Sequence, residues 1–94
     1  MTYKLKFLPV ALKEWKKLDP SIRVQLRNKL EEIIQNPKIP ANRLRQFENH
    51  YKIKLKSSGY RLVYEVIDTE IVVLVIAIGK REGNKVYEVA RLRT

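Results

Sequence analysis

The sequence predicts a small α+β domain with the element order β-α-α-β-β-β-α, in which a helical hairpin and a short terminal helix pack on a mostly antiparallel sheet. Three observations predict it: two segments with helical spacing joined at Asp19-Pro20, several segments in which apolar and charged residues alternate, and one apolar run near the end. A length of 94 residues suits one domain. We therefore expect residues 1–94 to form a single domain.

The first third is predicted to be a strand followed by two helices. Tyr3, Leu5 and Phe7 alternate with lysines, as in a half-buried strand. The next segment begins at Pro9, and its apolar side chains fall on one helical face: Leu8, Ala11, Leu12, Trp15 and Leu18. Asp19-Pro20 separates it from the second helix, since Asp can cap a helix N-terminus and Pro is tolerated at the first helical position.

The second helix presents an apolar face made of Ile22, Leu26, Leu30, Ile33 and Ile34. Asn36-Pro37 ends it. Residues 43–47 are predicted to be a turn or a short strand. Beyond them, three segments have strand character: residues 51–56, residues 60–66 after a Ser-Ser-Gly turn, and residues 71–78, which are apolar on both faces, as in a central covered strand.

The last segment, Lys85–Arg93, is predicted to be a short helix with Val86, Val89 and Ala90 facing inward. Trp15, Tyr51, Tyr60 and Tyr64 are predicted to belong to the core.

Composition excludes several classes of function. The chain has 20 Lys and Arg against 10 Asp and Glu, a net charge of +10, with one His and no Cys. The missing Cys residues exclude disulfides, thiolate nucleophiles and iron–sulfur clusters, and a lone His excludes chemistry that needs a His pair. We expect no metal, no cofactor and no membrane span, and a cytoplasmic protein whose partner is anionic.

The positive charge is concentrated in one part of the sequence. Residues 38–61 contain seven cationic side chains and one anionic one, a net charge of +6 within 24 residues. Because alternate residues of a strand share a face, Lys52, Lys54 and Lys56 are predicted to form a row with a spacing of roughly 6–7 Å. A hairpin turn at residues 57–59 would bring Arg61 beside that row, and such a row can follow the backbone of a nucleic acid.

Two further residues stand out near the end of the chain. Arg81 directly follows the central strand, in a loop position of the type that often carries function. Tyr87 lies on a helix whose inward positions are already taken by Val86, Val89 and Ala90. His50 has no second His, Asp or Glu beside it, so the sequence supports neither a metal-ligand role nor a general-base role for it.

Taken together, these segments resemble the RelE family of bacterial toxins, in the wider RelE/ParE superfamily. The resemblance covers essentially the whole chain and rests on residues 11–18, 37–45, 51–64, 79–82 and 86–87. It implies a RelE/ParE-like, microbial-ribonuclease-like fold. It also implies a ribosome-dependent endoribonuclease that cuts mRNA in the ribosomal A site, and a RelB-like antitoxin with which the toxin forms a hetero-oligomer that meets operator DNA only through the antitoxin.

The resemblance also implies roles for individual residues. Metal-independent RNA cleavage uses the 2′-OH of the substrate as nucleophile and leaves a 2′,3′-cyclic phosphate and a 5′-OH. Lys52 and Arg61 are expected to stabilise the phosphorane and Arg81 to act as acid, while the base is either Lys54 or Tyr87. Arg45 and Lys56 are expected to hold the RNA backbone.

Two other functions fit the sequence. Gyrase-inhibiting ParE-like toxins share the fold but generally lack this full cationic set with the terminal tyrosine. A basic RNA-binding or ribosome-associated module without catalysis would explain the cationic strand, but it would leave Arg81 and Tyr87 without roles.

Overall fold

One four-stranded sheet organises the protein in the computed structural model, which describes residues 2–45, 47–80 and 85–93. Its elements follow the predicted order: strand β1 (Lys4–Phe7), helices α1 (Pro9–Lys16) and α2 (Pro20–Ile33), a 3-10 turn (Pro40–Asn42), strands β2 (His50–Lys54), β3 (Tyr60–Ile67) and β4 (Val72–Lys80), and helix α3 (Lys85–Arg93). The predicted α+β class is confirmed. Across the described part of the chain, no helix combines the length and apolar character needed to cross a membrane.

The strands lie in the order β1-β4-β3-β2, so β4 is central, as its apolar sequence predicts. β1 runs parallel to β4, whereas the β2–β3 and β3–β4 pairs are antiparallel. β4 begins at Val72 instead of Ile71. Ile71 has a φ of 56°, a left-handed conformation that costs a β-branched residue energy and places it in the turn before the strand.

The larger hydrophobic core lies between the sheet and the α1–α2 hairpin. Fully buried Ala11, Leu26 and Leu30 come from the helices, and Leu62 and Tyr64 come from β3. Trp15 and Tyr60, predicted as core, are half-buried at its boundary. Leu12, predicted to lie on the inward face of α1, is 37% exposed, and the buried residue of that helix is its neighbour Ala11.

A smaller apolar cluster lies on the opposite face of the sheet, under α3. It consists of Val63, Ile76, Ala77, Val86 and Ala90. The ladder between β3 and β4 shifts register between Val63 and Tyr64, which leaves Ile76 as an extra residue on β4. Val86 and Ala90 face the sheet as predicted, while Val89 is only partly buried.

Two local expectations need correction or refinement. Asp19 precedes α2 but its side chain makes no capping bond to the helix; its carboxylate accepts a hydrogen bond from Ser21 Oγ at 3.0 Å instead. In the segment predicted as a turn or a short strand, Arg43 forms a single β-bridge with Tyr51, and Arg45 lies in a turn.

Candidate functional site

The β2–β3 hairpin sorts its side chains onto two faces by simple alternation. Tyr51 and Ile53 point into the larger core, so Lys52 and Lys54, which alternate with them, point to the other face, on the side of α3. In the ladder, Lys54 lies opposite Arg61. The structure therefore brings Lys52, Lys54 and Arg61 together on one surface, which we call the cationic face.

A shallow cavity of about 270 Å³ opens at the end of this hairpin. Lys54, Lys56 and Arg61 line it together with Leu55, Gly59 and Tyr60. Lys56 does not continue the strand as predicted, because β2 ends at Lys54 and the chain turns there, with the Gly59 N–H donating to the Leu55 carbonyl at 2.9 Å. Lys56 still reaches the same cavity from the turn.

Tyr87 reaches the cationic face from α3. Its hydroxyl oxygen accepts a hydrogen bond from Arg61 Nη1 at 3.1 Å, and the Arg61 Cζ atom lies 5.5 Å from the centre of its ring. Val86 and Ala90 pack on the sheet and thereby fix the rotation of α3 about its own axis. This rotation turns the half-buried Tyr87 towards β3. A guanidinium and a phenol are thereby held in direct contact.

Arg81, the expected acid, lies outside the described residues. Its neighbour Lys80 is the last residue of β4 and pairs with Tyr60 on β3. The Lys80 ammonium lies 5.6 Å from the centre of the Tyr60 ring, a cation–π contact at the edge of the cavity. Neither Lys80 nor Tyr60 was predicted as a site residue; the register between β3 and β4, which pairs them, is the signal that could have located them at the cavity.

Arg45 lies at the opposite end of β2 from the cavity. The N–H of its neighbour Leu44 donates to the carbonyl of His50, the first residue of the strand, whereas Lys54 is the last. Because His50 and Lys54 are four positions apart, the two ends of β2 lie about 13 Å from each other. Arg45 is therefore an exposed cation beyond the His50 end of β2, and not a member of the Lys54–Arg61 group.

Lys38 belongs to the cationic segment of the sequence but not to this surface. It forms an ion pair with Asp68 at 2.5 Å, and Asp68 also accepts a hydrogen bond from the Tyr3 hydroxyl at 2.8 Å. The hydrogen bond from Lys38, followed by that from Tyr3, lowers the pKa of the Asp68 carboxyl from its usual 3.8. The pKa of Lys38 is raised above 10.5 by the same hydrogen bond.

His50 is buried at the start of β2, where it contacts neighbouring residues of the turn before the strand. Its Nδ1 lies 2.5 Å from the Glu48 carbonyl oxygen, and its ring packs against Phe47 with centres 5.2 Å apart. Its Nε2 has no hydrogen-bond partner among the described residues and lies 3.9 Å from a Glu65 oxygen, too far for a hydrogen bond. His50 thus anchors the turn that leads into the cationic strand.

In residues 2–45, 47–80 and 85–93, no cluster of three or more His, Asp or Glu side chains could hold a metal ion.

Comparisons with known proteins agree with this geometry. Residues 5–84 match the family model described as the ParE toxin of the type II toxin–antitoxin system parDE. The chain is 56% identical over 90 residues to the mRNA interferase toxin RelE of Escherichia coli strain K12, which covers 96% of this chain and 95% of that protein.

Solved structures give the same relationship. A free-state mutant of the Escherichia coli toxin RelE matches with a TM-score of 0.92 and 54% identity, covering 99% of this chain and 98% of that one. The toxin in the intact Escherichia coli RelBE toxin–antitoxin complex matches with a TM-score of 0.83 and 56% identity, covering 85% of this chain and 98% of that one. With its cationic face and with this identity over nearly its whole length, the chain belongs to the RelE branch of the RelE/ParE family of type II toxin–antitoxin toxins.

Proposed function

We propose that this protein is the toxin of a type II toxin–antitoxin system, an mRNA interferase that cleaves mRNA in the ribosomal A site and thereby inhibits protein synthesis. The contact between Arg61 and Tyr87 on the cationic face carries the proposal, because it joins a phosphate-binding group to a group that can move a proton or stack on a base. The 56% identity to a RelE mRNA interferase supports the same activity. The chain acts as a single domain in the cytoplasm.

The proposed reaction is a transesterification within the RNA. The 2′-oxygen attacks the adjacent phosphorus, the O2′–P bond forms, and the P–O5′ bond breaks, leaving a 2′,3′-cyclic phosphate and a 5′-OH. One proton leaves the 2′-OH and one is delivered to the departing 5′-oxygen. Enzymes accelerate such steps by proton transfer and by stabilising the charge on the phosphorane.

We assign the roles as follows. Lys52 and Arg61, which share the cationic face, stabilise the phosphorane, and either Lys54 or Tyr87 removes the 2′-OH proton. Arg81 supplies the proton to the 5′-oxygen. Lys56 and Arg45 lie beyond opposite ends of β2, which are about 13 Å apart along the strand, and we assign them to different phosphates of the RNA backbone.

The ribosome supplies part of the catalysis in this proposal. Lys and Tyr side chains have ordinary pKa values near 10, so a base of either type is mostly protonated at neutral pH. Holding the mRNA so that its 2′-OH is aligned with the P–O5′ bond compensates for a weak base. Purified protein should therefore cut naked RNA far more slowly than mRNA on ribosomes, and equal rates would refute this division of labour.

The partner is a RelB-like antitoxin. The Escherichia coli relative forms a RelBE toxin–antitoxin complex, and a net charge of +10 favours an acidic or amphipathic segment that orders on binding. We propose a hetero-oligomer in which contacts with operator DNA are made by the antitoxin.

One experiment separates this function from its alternatives. Expression is induced and mRNA 5′ ends are mapped, while plasmid supercoiling is followed in the same cells. Cuts phased with codons and normal supercoiling are expected. Intact mRNA with a supercoiling defect would favour gyrase inhibition, the alternative implied by the resemblance to ParE-like toxins. Intact mRNA, normal supercoiling and tolerated expression would favour a binding module without catalysis.

A further inference from the structure

Glu14 and Arg93, which are 79 positions apart in the sequence, form an ion pair beside β4, on the side of that strand that does not pair with β3. Arg93, in the last turn of α3, donates from Nη1 to Glu14 Oε1 at 2.9 Å and from Nη2 to Glu14 Oε2 at 3.1 Å. Glu14 lies on α1, and both side chains are largely shielded, with exposures of 30% for Glu14 and 18% for Arg93. A two-pronged arginine–carboxylate pair of this kind fixes orientation as well as distance. We call it the Glu14–Arg93 clamp.

The clamp also supplies hydrogen bonds to a part of β4 that has no neighbouring strand on one side in the described sheet. β1 pairs with β4 only as far as Val75, so the next residues of β4 have no strand beside them on that side within the described sheet. Arg93 Nη1 donates to the Ile76 carbonyl at 2.8 Å, and the Ile78 N–H donates to Glu14 Oε1 at 3.1 Å. The clamp therefore binds α1, α3 and β4 to one another through groups that would otherwise have to be solvated.

Helix α3 needs such an anchor because it is short. It has nine residues, and its buried side chains are Val86 and Ala90. Isolated helices of this length are marginal in water, so packing and end contacts decide whether one forms. Tyr87 lies six residues before Arg93, about 9 Å along the helix axis. The Tyr87–Arg61 contact and the Glu14–Arg93 clamp thus hold the two ends of the same helix.

We propose that Glu14 and Arg93 are positioning residues of the cationic face: by fixing the C-terminal end of α3 to α1 and β4, they keep Tyr87 in contact with Arg61. They touch no substrate. The structural part of the proposal concerns α3 itself, and the kinetic part rests on the proposed function.

Hydrogen exchange of the full-length protein tests the structural part. In Arg93→Ala, amides of Lys85–Arg93 should exchange about tenfold or more faster than in the wild type, while those of β3 keep their protection, because α3 opens as a local unit. Arg93→Lys, which keeps the charge but loses the two-pronged geometry, should lie between the two. Arg27→Ala, which removes the same charge from the exposed side of α2, is the matched control and should leave α3 unchanged. Unchanged exchange in Arg93→Ala overturns the proposal.

A double-mutant cycle tests the kinetic part with toxin and programmed ribosomes. Arg93→Ala should lower the saturating cleavage rate about tenfold and change the ribosome concentration for half-maximal rate less than about twofold, since it misplaces a reacting group and leaves the docking charges in place. In a Tyr87→Phe background the same change should cost less than about twofold, because the two positions act through one group. Equal losses in both backgrounds overturn the proposal. Wild-type protein that fails to cleave on ribosomes refutes the proposed function instead, and the exchange measurement then decides the structural part alone.

Discussion

The two faces of the β2–β3 hairpin are built from neighbouring residues but have opposite characters. On the face covered by α1 and α2, Ile53, Leu62 and Tyr64 are packed into the larger core. On the other face, Lys52, Lys54 and Arg61 gather like charges; Lys54 and Arg61 line the shallow cavity, and Tyr87 contacts Arg61. Like charges on one strand face cost stability. The face under α1 and α2 therefore carries most of the buried apolar side chains of the hairpin, whereas the cationic face, at some expense of stability, carries the residues to which we assign the chemistry.

Substitutions of adjacent residues of β2 test most directly whether the two faces have separate roles. Ile53→Ala should lower the free energy of unfolding by about 2–4 kcal/mol, because it removes a buried side chain from the core and leaves a cavity. Lys52→Ala, one residue away on the cationic face, should change that free energy by less than about 0.5 kcal/mol. Urea denaturation measures both. Comparable destabilisation by the two variants would show that the faces are not separate.

The second prediction divides chemistry from docking within the cationic site. Arg81→Ala and Tyr87→Phe should each lower the saturating cleavage rate on ribosomes by about 100-fold or more, as expected for groups that act on the transition state. Lys56→Ala should mainly raise the ribosome concentration needed for half-maximal rate, because an exposed lysine in a turn contributes charge to binding. Single-turnover cleavage at varied ribosome concentration separates the two effects. Similar changes in both parameters for all three variants would overturn the assignment.

A third prediction concerns the core face and should leave cleavage unaffected. The buried Tyr64 hydroxyl donates to the Pro37 carbonyl at 2.9 Å, which ties the loop after α2 to β3. Burial raises the pKa of this phenol well above its usual value, so it remains a donor at any physiological pH. Tyr64→Phe should lower the free energy of unfolding by about 1 kcal/mol, measured by urea denaturation. A loss of cleavage without a loss of stability would place Tyr64 in the site instead.

The smallest expected effect is a pH dependence away from both faces. Because the hydrogen bond from Lys38 lowers the folded-state pKa of Asp68 below 3.8, the carboxylate contributes stability above that pH, and the contribution is lost as the pH falls through the folded-state pKa. Asp68→Asn should therefore flatten the fall in thermal midpoint between about pH 4 and pH 2. Glu70→Gln, in the same turn and exposed, is the control. An unchanged slope in Asp68→Asn would show that the ion pair contributes nothing to folding.

Strand alternation and turn chemistry made much of this architecture predictable. The pattern of residues 51–56 and the following Ser-Ser-Gly turn were sufficient to predict that Arg61 lies beside the lysine row, and the ladder pairs Lys54 with Arg61. Lys56 was misplaced because a period of two does not reveal where a strand ends. Lys38 and Arg45 belong to the same cationic segment of the sequence but lie away from the row, because nearness in sequence does not show which way a side chain points.

Contacts between distant segments could not be predicted in the same way. The parallel pairing of β1 with β4 joins residues about 70 positions apart, and the Glu14–Arg93 clamp joins residues 79 apart. No local pattern in the sequence encodes either of them. Asp19 shows the opposite failure: the residue type suits a helix cap, but its carboxylate is engaged by Ser21. Local chemistry thus predicted elements and faces, and tertiary packing decided the partners.

The most direct test of the central claim is the cleavage rate of Arg61→Ala at saturating programmed ribosomes, measured beside its thermal midpoint. Arg61 is half-buried on the cationic face, where it donates a hydrogen bond to Tyr87 and lies opposite Lys54 in the ladder. We predict that cleavage falls about 100-fold or more because phosphorane stabilisation is lost, while the midpoint moves by only a few degrees. A variant that cleaves at the wild-type rate, or one that loses cleavage only because it unfolds, would contradict the assignment of chemistry to this face of the sheet.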